Sequence, residues 1–267
     1  MNHKRRLLAS GAMFASLALM TGLTACSSDS GGGESDAALE ESYVVATDTS
    51  FVPFEFKQDG EYVGFDIDLI NAVADEAGFK VDLKTTNFDG MIPGLQTGTF
   101  DIAIAGMTIK PERAKKVDFS DPYYKSGLRI GVPVDNEDIT SVKDLEGKNI
   151  ATRLGSTSAD YINNNIEGAT AQTFEQLDQA YLAVQNGTSD AILYDAPNVA
   201  YYIQTKGKDS LKMVGELLEA QDYGIAIAQG NENLVKAIDK ALATLKENGT
   251  YDELYEKWFG EAPPSDE

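Results

Sequence analysis

Residues 101–108, Asp-Ile-Ala-Ile-Ala-Gly-Met-Thr, decide the fold class. Asp101 to Ala105 form a short apolar strand of the buried kind, and the glycine and hydroxyl that follow end it. The same pattern recurs along the chain. Tyr43 to Thr47 is a strand that stops at Asp48, Asn149 to Arg153 runs into Leu154-Gly155-Ser156-Thr157, and Ala191 to Tyr194 stops at Asp195. Lys80 to Lys84, Ala171 to Phe174 and Leu211 to Val214 read as further strands. Between them the period becomes helical. Asp66 opens a helix whose Ile67, Ile70, Val73, Ala74 and Ala77 share one face, with Gly78 as its stop. Short helices are predicted over Gly90 to Gln96 and from Pro111 to Lys115, with proline in the first helical position. Phe54 to Val63 reads as a hairpin turning at Asp59-Gly60. Near the end, Leu234, Ile238, Leu242 and Leu245 form one stripe closed by Asn248-Gly249, and Thr250-Tyr251-Asp252-Glu253 reads as a capping box for a last helix burying Leu254 and Trp258. Strands alternating with helices predict an α/β fold with mostly parallel sheets covered by helices.

Composition narrows the function. The chain has 267 residues, with 22 Lys plus Arg against 43 Asp plus Glu, a formal net charge of −21. A surface this acidic repels phosphate backbones and anionic lipid headgroups, so nucleic-acid binding and polybasic membrane docking are excluded. The one histidine is His3 and the one cysteine is Cys26. The body therefore has no His general base, no Ser-His-Asp or Cys-His pair, no His/Cys zinc site and no intramolecular disulfide. No Walker-type or Rossmann glycine loop is present.

Residues 2–6, NHKRR, are a positive n-region, and the apolar stretch from Leu7 to Ala25 follows. That length could just span a bilayer, but a basic head with a short hydrophobic region is signal-peptide architecture. Leu23-Thr24-Ala25-Cys26 resembles the lipobox of bacterial lipoproteins, which implies cleavage before Cys26 and lipid on its thiol. Residues 27–42, SSDSGGGESDAALEES, are expected to be a flexible, self-repelling tether. No later hydrophobic run approaches spanning length, so residues 43–267 are expected to be soluble.

Four polar elements stand at strand ends, where open α/β sheets bind ligands: Asp48, Gly106-Met107-Thr108 with Arg113 a turn later, Arg153 to Thr157, and Tyr194-Asp195. Each alone has a plain structural reading, as a turn former, a solvated helix charge or an N-cap. Together they supply two anions, two cations and a helix N-terminus suited to a carboxylate, a set that suits a zwitterion.

From Tyr43 to Gly260 the chain resembles the family 3 solute-binding proteins of ABC importers, with the glutamine-binding members nearest in pattern. The stretches that carry the resemblance include VVATDTSFVPFEF, YVGFDIDL, DIAIAGMTI, VDFSDPYYKSG, SVKDLEGK, LEAQDYGIA and ENGTYDELYEKWFG. The resemblance implies a periplasmic binding protein type II fold, two α/β lobes joined by two hinge strands with a ligand cleft between them. Lobe one would comprise residues 43–122 and 224–260 and lobe two residues 128–218, with hinges at 123–127 and 219–223 and a tail at 261–267. The signal peptide would be 1–25 and the tether 26–42. By the same resemblance Arg113 would grip a ligand α-carboxylate bidentately, helped by Thr108 and Thr157. Asp195 and the Gly106 carbonyl would take the α-ammonium. Phe51 and Phe88 would cover the aliphatic stem, where without the resemblance ordinary core aromatics are the better reading, and Asp48 would accept from a side-chain amide. Arg153, Thr157 and Tyr194 depart from the glutamine-binding pattern.

Asp48 would oppose a ligand side-chain carboxylate by about 4 kcal/mol at ~4 Å and an effective dielectric near 20. Arg153 would oppose a cation by a similar order, which leaves a neutral amide. L-glutamine is therefore expected, ahead of asparagine, glutamate and arginine. No cofactor is expected; the partners implied are an amino acid and the membrane permease of an importer, with the chain itself a monomer. The alternatives are a small-carboxylate dehydratase on the same fold and a ligand sensor feeding a membrane receptor.

Overall fold

The computed structural model describes residues 38–263. The predicted signal segment, Cys26 and most of the tether lie outside these residues. The chain opens with strand β1 (Ser42–Thr47) and a small antiparallel sheet of β2 (Ser50–Phe51), β3 (Glu55–Gln58) and β4 (Glu61–Val63). Helix α1 (Phe65–Ala77), β5 (Lys80–Thr85), α2 (Met91–Gln96), β6 (Ile102–Ala103), α3 (Pro111–Ala114) and β7 (Asp118–Phe119) follow. A long strand, β8 (Tyr124–Pro133), leads into a second sheet with β9 (Asn149–Arg153), α4 (Thr157–Asn165), β10 (Thr170–Phe174), α5 (Leu177–Gln185), β11 (Ala191–Asp195) and α6 (Ala196–Thr205). Strand β12 (Leu211–Tyr223) leads back to β13 (Ala226–Ile227), and α7 (Glu232–Glu247) and α8 (Thr250–Phe259) close the chain.

The first sheet runs β5-β1-β6-β13-β7 and the second β10-β9-β11-β8-β12. The expectation of mostly parallel sheets is half right. β1 pairs in parallel with β5 and β6, and β9 with β10 and β11, but β13, β8 and β12 enter antiparallel. Hydrophobic period marks a strand as buried and says nothing about its direction, which is reversed here in the strands that carry the chain between the sheets. β12 is also far longer than the predicted Leu211 to Val214. It continues through register shifts between Val214, Leu218 and Gln221, helped by Gly215 at φ 71°, so its alternation is broken where the sequence pattern fades.

The stripe along α7 is buried as expected at Leu234, Ile238, Leu242 and Leu245. The capping box at Thr250 does not form. The N-cap of α8 is Gly249 at φ 85°, a left-handed turn that glycine adopts without penalty, and the Asn248 side chain accepts from the Thr250 amide at 3.0 Å. The residues α8 buries fully are Tyr251 and Tyr255, while Leu254 and Trp258 are half-buried against the core and Trp258 donates Nε1–H to Asp68. Both Asn-x-Thr sequences, at Asn186 and Asn248, sit at helix C-termini. Among the described residues, no helix is long and apolar enough to cross a membrane.

Candidate functional site

The carboxyl ends of β1, β6, β9 and β11 supply the charged residues. Asp48 follows β1 directly, Arg153 is the last residue of β9, and both side chains are 1% exposed. They form an ion pair. Arg153 also donates Nη2–H to the Glu175 carbonyl at 3.2 Å, while its Nε has no partner. Burial pushes the Asp48 carboxyl up against the pull of Arg153. The two charges, read separately from sequence, thus neutralise each other, and the like-charge penalties assigned to each shrink accordingly. The half-buried Phe88 ring lies under both guanidinium groups, 5.3 Å from Arg113 and 5.6 Å from Arg153.

Arg113 sits in the one-turn helix that Pro111 starts and is 6% exposed. Its Nη1 donates to the Thr108 carbonyl and its Nη2 to the Gly155 carbonyl, each at 3.0 Å, so one fork reaches from the first-sheet half to the second. Two donors satisfied leave three of the five guanidinium N–H groups for a ligand. Asp195 ends β11. Its Oδ2 accepts from the Tyr223 hydroxyl at 2.7 Å, and its Oδ1 is buried with no donor. Burial raises this carboxyl to about 6, with the Tyr223 hydrogen bond and the Arg113 and Arg153 charges opposing the rise. The hydroxyls of Thr108 and Thr157, expected to face a carboxylate, each lie 3.0 Å from Oε1 of Gln221 on β12.

Gly106 adopts φ 54°, and a Cβ there would fall 2.3 Å from the Phe51 ring, so only glycine fits. Phe51 is 2% exposed, stacked on Phe54 at 4.9 Å and edge-on to Tyr194. Behind this loop Asp66 Oδ2 accepts from the Gly106 amide at 2.8 Å and the Tyr123 hydroxyl at 2.9 Å. Glu55 lies beside it, fully buried with both oxygens unpartnered. Burial, then the Asp66 and Asp48 charges, push Glu55 well above the carboxylate range, and burial raises Asp66 to about 7.

Further bonds join the halves. Asn198 donates to the Val52 carbonyl at 2.7 Å, Ser50 donates to Gln176 at 2.9 Å, Gln176 donates to Asn87 at 2.9 Å, and Lys110 pairs with Asp160. The nine site residues expected from sequence within the described chain therefore lie at one region around the strand ends. Sequence reasoning missed Gln221, Glu55 and Tyr223. Glu55 left a faint signal, as a lone carboxylate between Phe54 and Phe56 in an alternating strand.

Residues 43–261 match the family described as bacterial extracellular solute-binding proteins, family 3. The L-cystine-binding protein TcyJ of Escherichia coli (strain K12) is 35% identical over 81% of this chain and 82% of its own length. The glutamine-binding protein GlnH of Bacillus subtilis (strain 168) is 33% identical over 90% of this chain and 93% of its own. Among solved structures, an ancestral arginine-binding protein bound to arginine is 42% identical with a TM-score of 0.80, covering 84% of this chain and all of that one. An ancestral arginine-binding protein bound to glutamine is 42% identical with a TM-score of 0.79, covering 84% of this chain and all of that one.

Proposed function

Because the chain belongs to the family 3 bacterial extracellular solute-binding proteins, with their type II α/β fold, we propose that it captures a polar α-amino acid, L-glutamine before others, and hands it to an ABC importer. The observation that carries this reading is the pairing of Arg113, with N–H groups to spare, and Asp195, with one buried oxygen lacking a donor. The field of each bears on the other's proton affinity. A buried cation and anion with opposite unmet valences fit the α-carboxylate and α-ammonium of one zwitterion. The carbonyl of Gly106 would share the ammonium, and Phe51 and Phe88 would flank the stem.

The Asp48–Arg153 pair bears on the side chain. A neutral pair holds one acceptor and one donor side by side, which a primary amide matches without adding net charge. A cationic ligand such as arginine would have to draw Asp48 away from Arg153. The two lobes, 43–122 with 224–260 and 128–218, would hinge at 123–127 and 219–223, where β8 and β12 pair antiparallel from Ser126 opposite Gln221 to Tyr124 opposite Tyr223. The geometry of the site favours neither a dehydratase nor a receptor sensor over capture and delivery. At the N-terminus we propose cleavage before Cys26, lipidation of its thiol and anchorage outside the cell membrane.

Calorimetric titration of ligand-stripped protein with the twenty amino acids tests the reading. Binding of L-glutamine with compaction in scattering is the expected result; no binding by any amino acid overturns it. Mass spectrometry of native protein should find an acylated N-terminal Cys26, and recovery of intact residues 1–25 would remove the anchor.

A further inference from the structure

Gln221 lies on the strand that returns the chain from the second sheet to the first. It is 4% exposed, and Thr108 and Thr157 belong to opposite halves of the molecule. Both hydroxyls lie 3.0 Å from its carbonyl oxygen, Oε1. A carbonyl oxygen can accept twice and a threonine hydroxyl has one hydrogen to give, so these two donors are spent on Gln221. The other end of the carboxamide differs: Nε2 is buried and has no partner. An amide nitrogen is costly to bury without an acceptor, and Arg113, which donates to the Thr108 carbonyl, brings a second set of donors to the same residue that Gln221 holds.

We propose that Gln221 is a ligand-binding residue, which clasps Thr108 and Thr157 through its carbonyl oxygen and offers its free Nε2–H to the ligand's α-carboxylate. This rests on the amino-acid reading above and adds a role to it. The two threonines then act as positioning residues that orient the carboxamide, and the carboxylate is held by Arg113 and Gln221. Since Gln221 stands on the connecting strand, the contact that recognises the ligand also fixes the angle between the halves.

The test compares wild type with Gln221→Met, which keeps length without polarity, and Gln221→Glu, which replaces the donor with an oxygen. The probes are L-glutamine, L-arginine and L-glutamine α-amide, in which the carboxylate is neutralised. Gln221→Met should weaken L-glutamine and L-arginine alike by about 10- to 100-fold, the loss expected for one hydrogen bond to a charged group. It should weaken the α-amide far less. Gln221→Glu should bind the two amino acids worse still while sparing the α-amide, a reversal that a merely structural role would not produce. Binding of L-glutamine by Gln221→Met within twofold of wild type overturns the proposal, as does an equal loss for the α-amide. If wild type binds neither amino acid, the amino-acid reading itself has failed, and the clasp is read without ligand from a spin-label distance across the halves. Gln221→Met should lengthen that distance, and an unchanged distance overturns the clasp.

Discussion

The proton on Asp195 sets how binding should depend on pH. Its carboxyl titrates near 6 because it is buried, and Tyr223 and the two arginines only partly offset that cost. An ammonium group needs the ionised form. Below pH 6 the free protein holds a proton that must leave before the ligand can be gripped, so the apparent dissociation constant scales as one plus ten to the power (6 − pH). Relative to pH 8, affinity should fall about 2-fold at pH 6 and about 11-fold at pH 5. Glutamine has no group that titrates in this range, so the slope belongs to the protein. Calorimetry at pH 6 in two buffers of different ionisation enthalpy should show about half a proton released per ligand bound. Asp66, near 7, titrates in the same window behind Gly106. Asp66→Asn should therefore keep the acid slope, while Asp195→Asn should bind weakly and lose it. A dissociation constant constant within twofold from pH 8 to pH 5, or a slope that survives Asp195→Asn, would refute the reasoning.

Three further outcomes are expected. Glu55 is raised in the folded state, so its contribution to stability is present at acid pH and disappears as pH rises through that raised value; Glu55→Gln should melt higher than wild type at pH 9 and no higher at pH 4, and a lower melting point at pH 9 would count against it. Arg153→Ala leaves Asp48 buried without its partner, a loss of about 3–5 kcal/mol, which for a body of this size lowers the melting temperature by about 6–20 °C; a drop under 2 °C would mean the pair is worth little. Arg113→Lys keeps the charge but cannot reach the Thr108 and Gly155 carbonyls and a carboxylate together; L-glutamine affinity should fall about 30-fold or more, and unchanged binding would place Arg113 outside the contact.

Local chemistry made much of the fold legible. The Asp59-Gly60 turn, the Gly78 stop, the Pro111 start and the α7 stripe are each settled by a few adjacent residues. What stayed hidden depends on partners distant in sequence. Strand direction in β8, β12 and β13 is a property of pairing rather than of period. The capping box failed because the sharp turn between α7 and α8 needs a left-handed residue, and that requirement outranks a side-chain cap. Within the site, strand-end residues such as Asp48, Arg153 and Asp195 could be singled out because topology places functional groups there. That Asp48 would meet Arg153 could not be seen, since the two are brought together only when the halves meet. Gln221 was invisible for a related reason: in Leu-Glu-Ala-Gln-Asp it reads as one polar residue among several on an edge strand.

The bonds across the two halves bear on speed. Arg113 reaches Gly155, Asn198 holds the Val52 carbonyl, and Ser50 and Asn87 meet Gln176. Halves bonded directly to each other must part before an amino acid can enter or leave. The arrival rate of an amino acid should then climb with its concentration only until unlatching becomes the slow step, and level off there. Weakening the Asn198–Val52 latch, which involves none of the charged site residues, should raise that plateau and leave the choice of cargo unchanged.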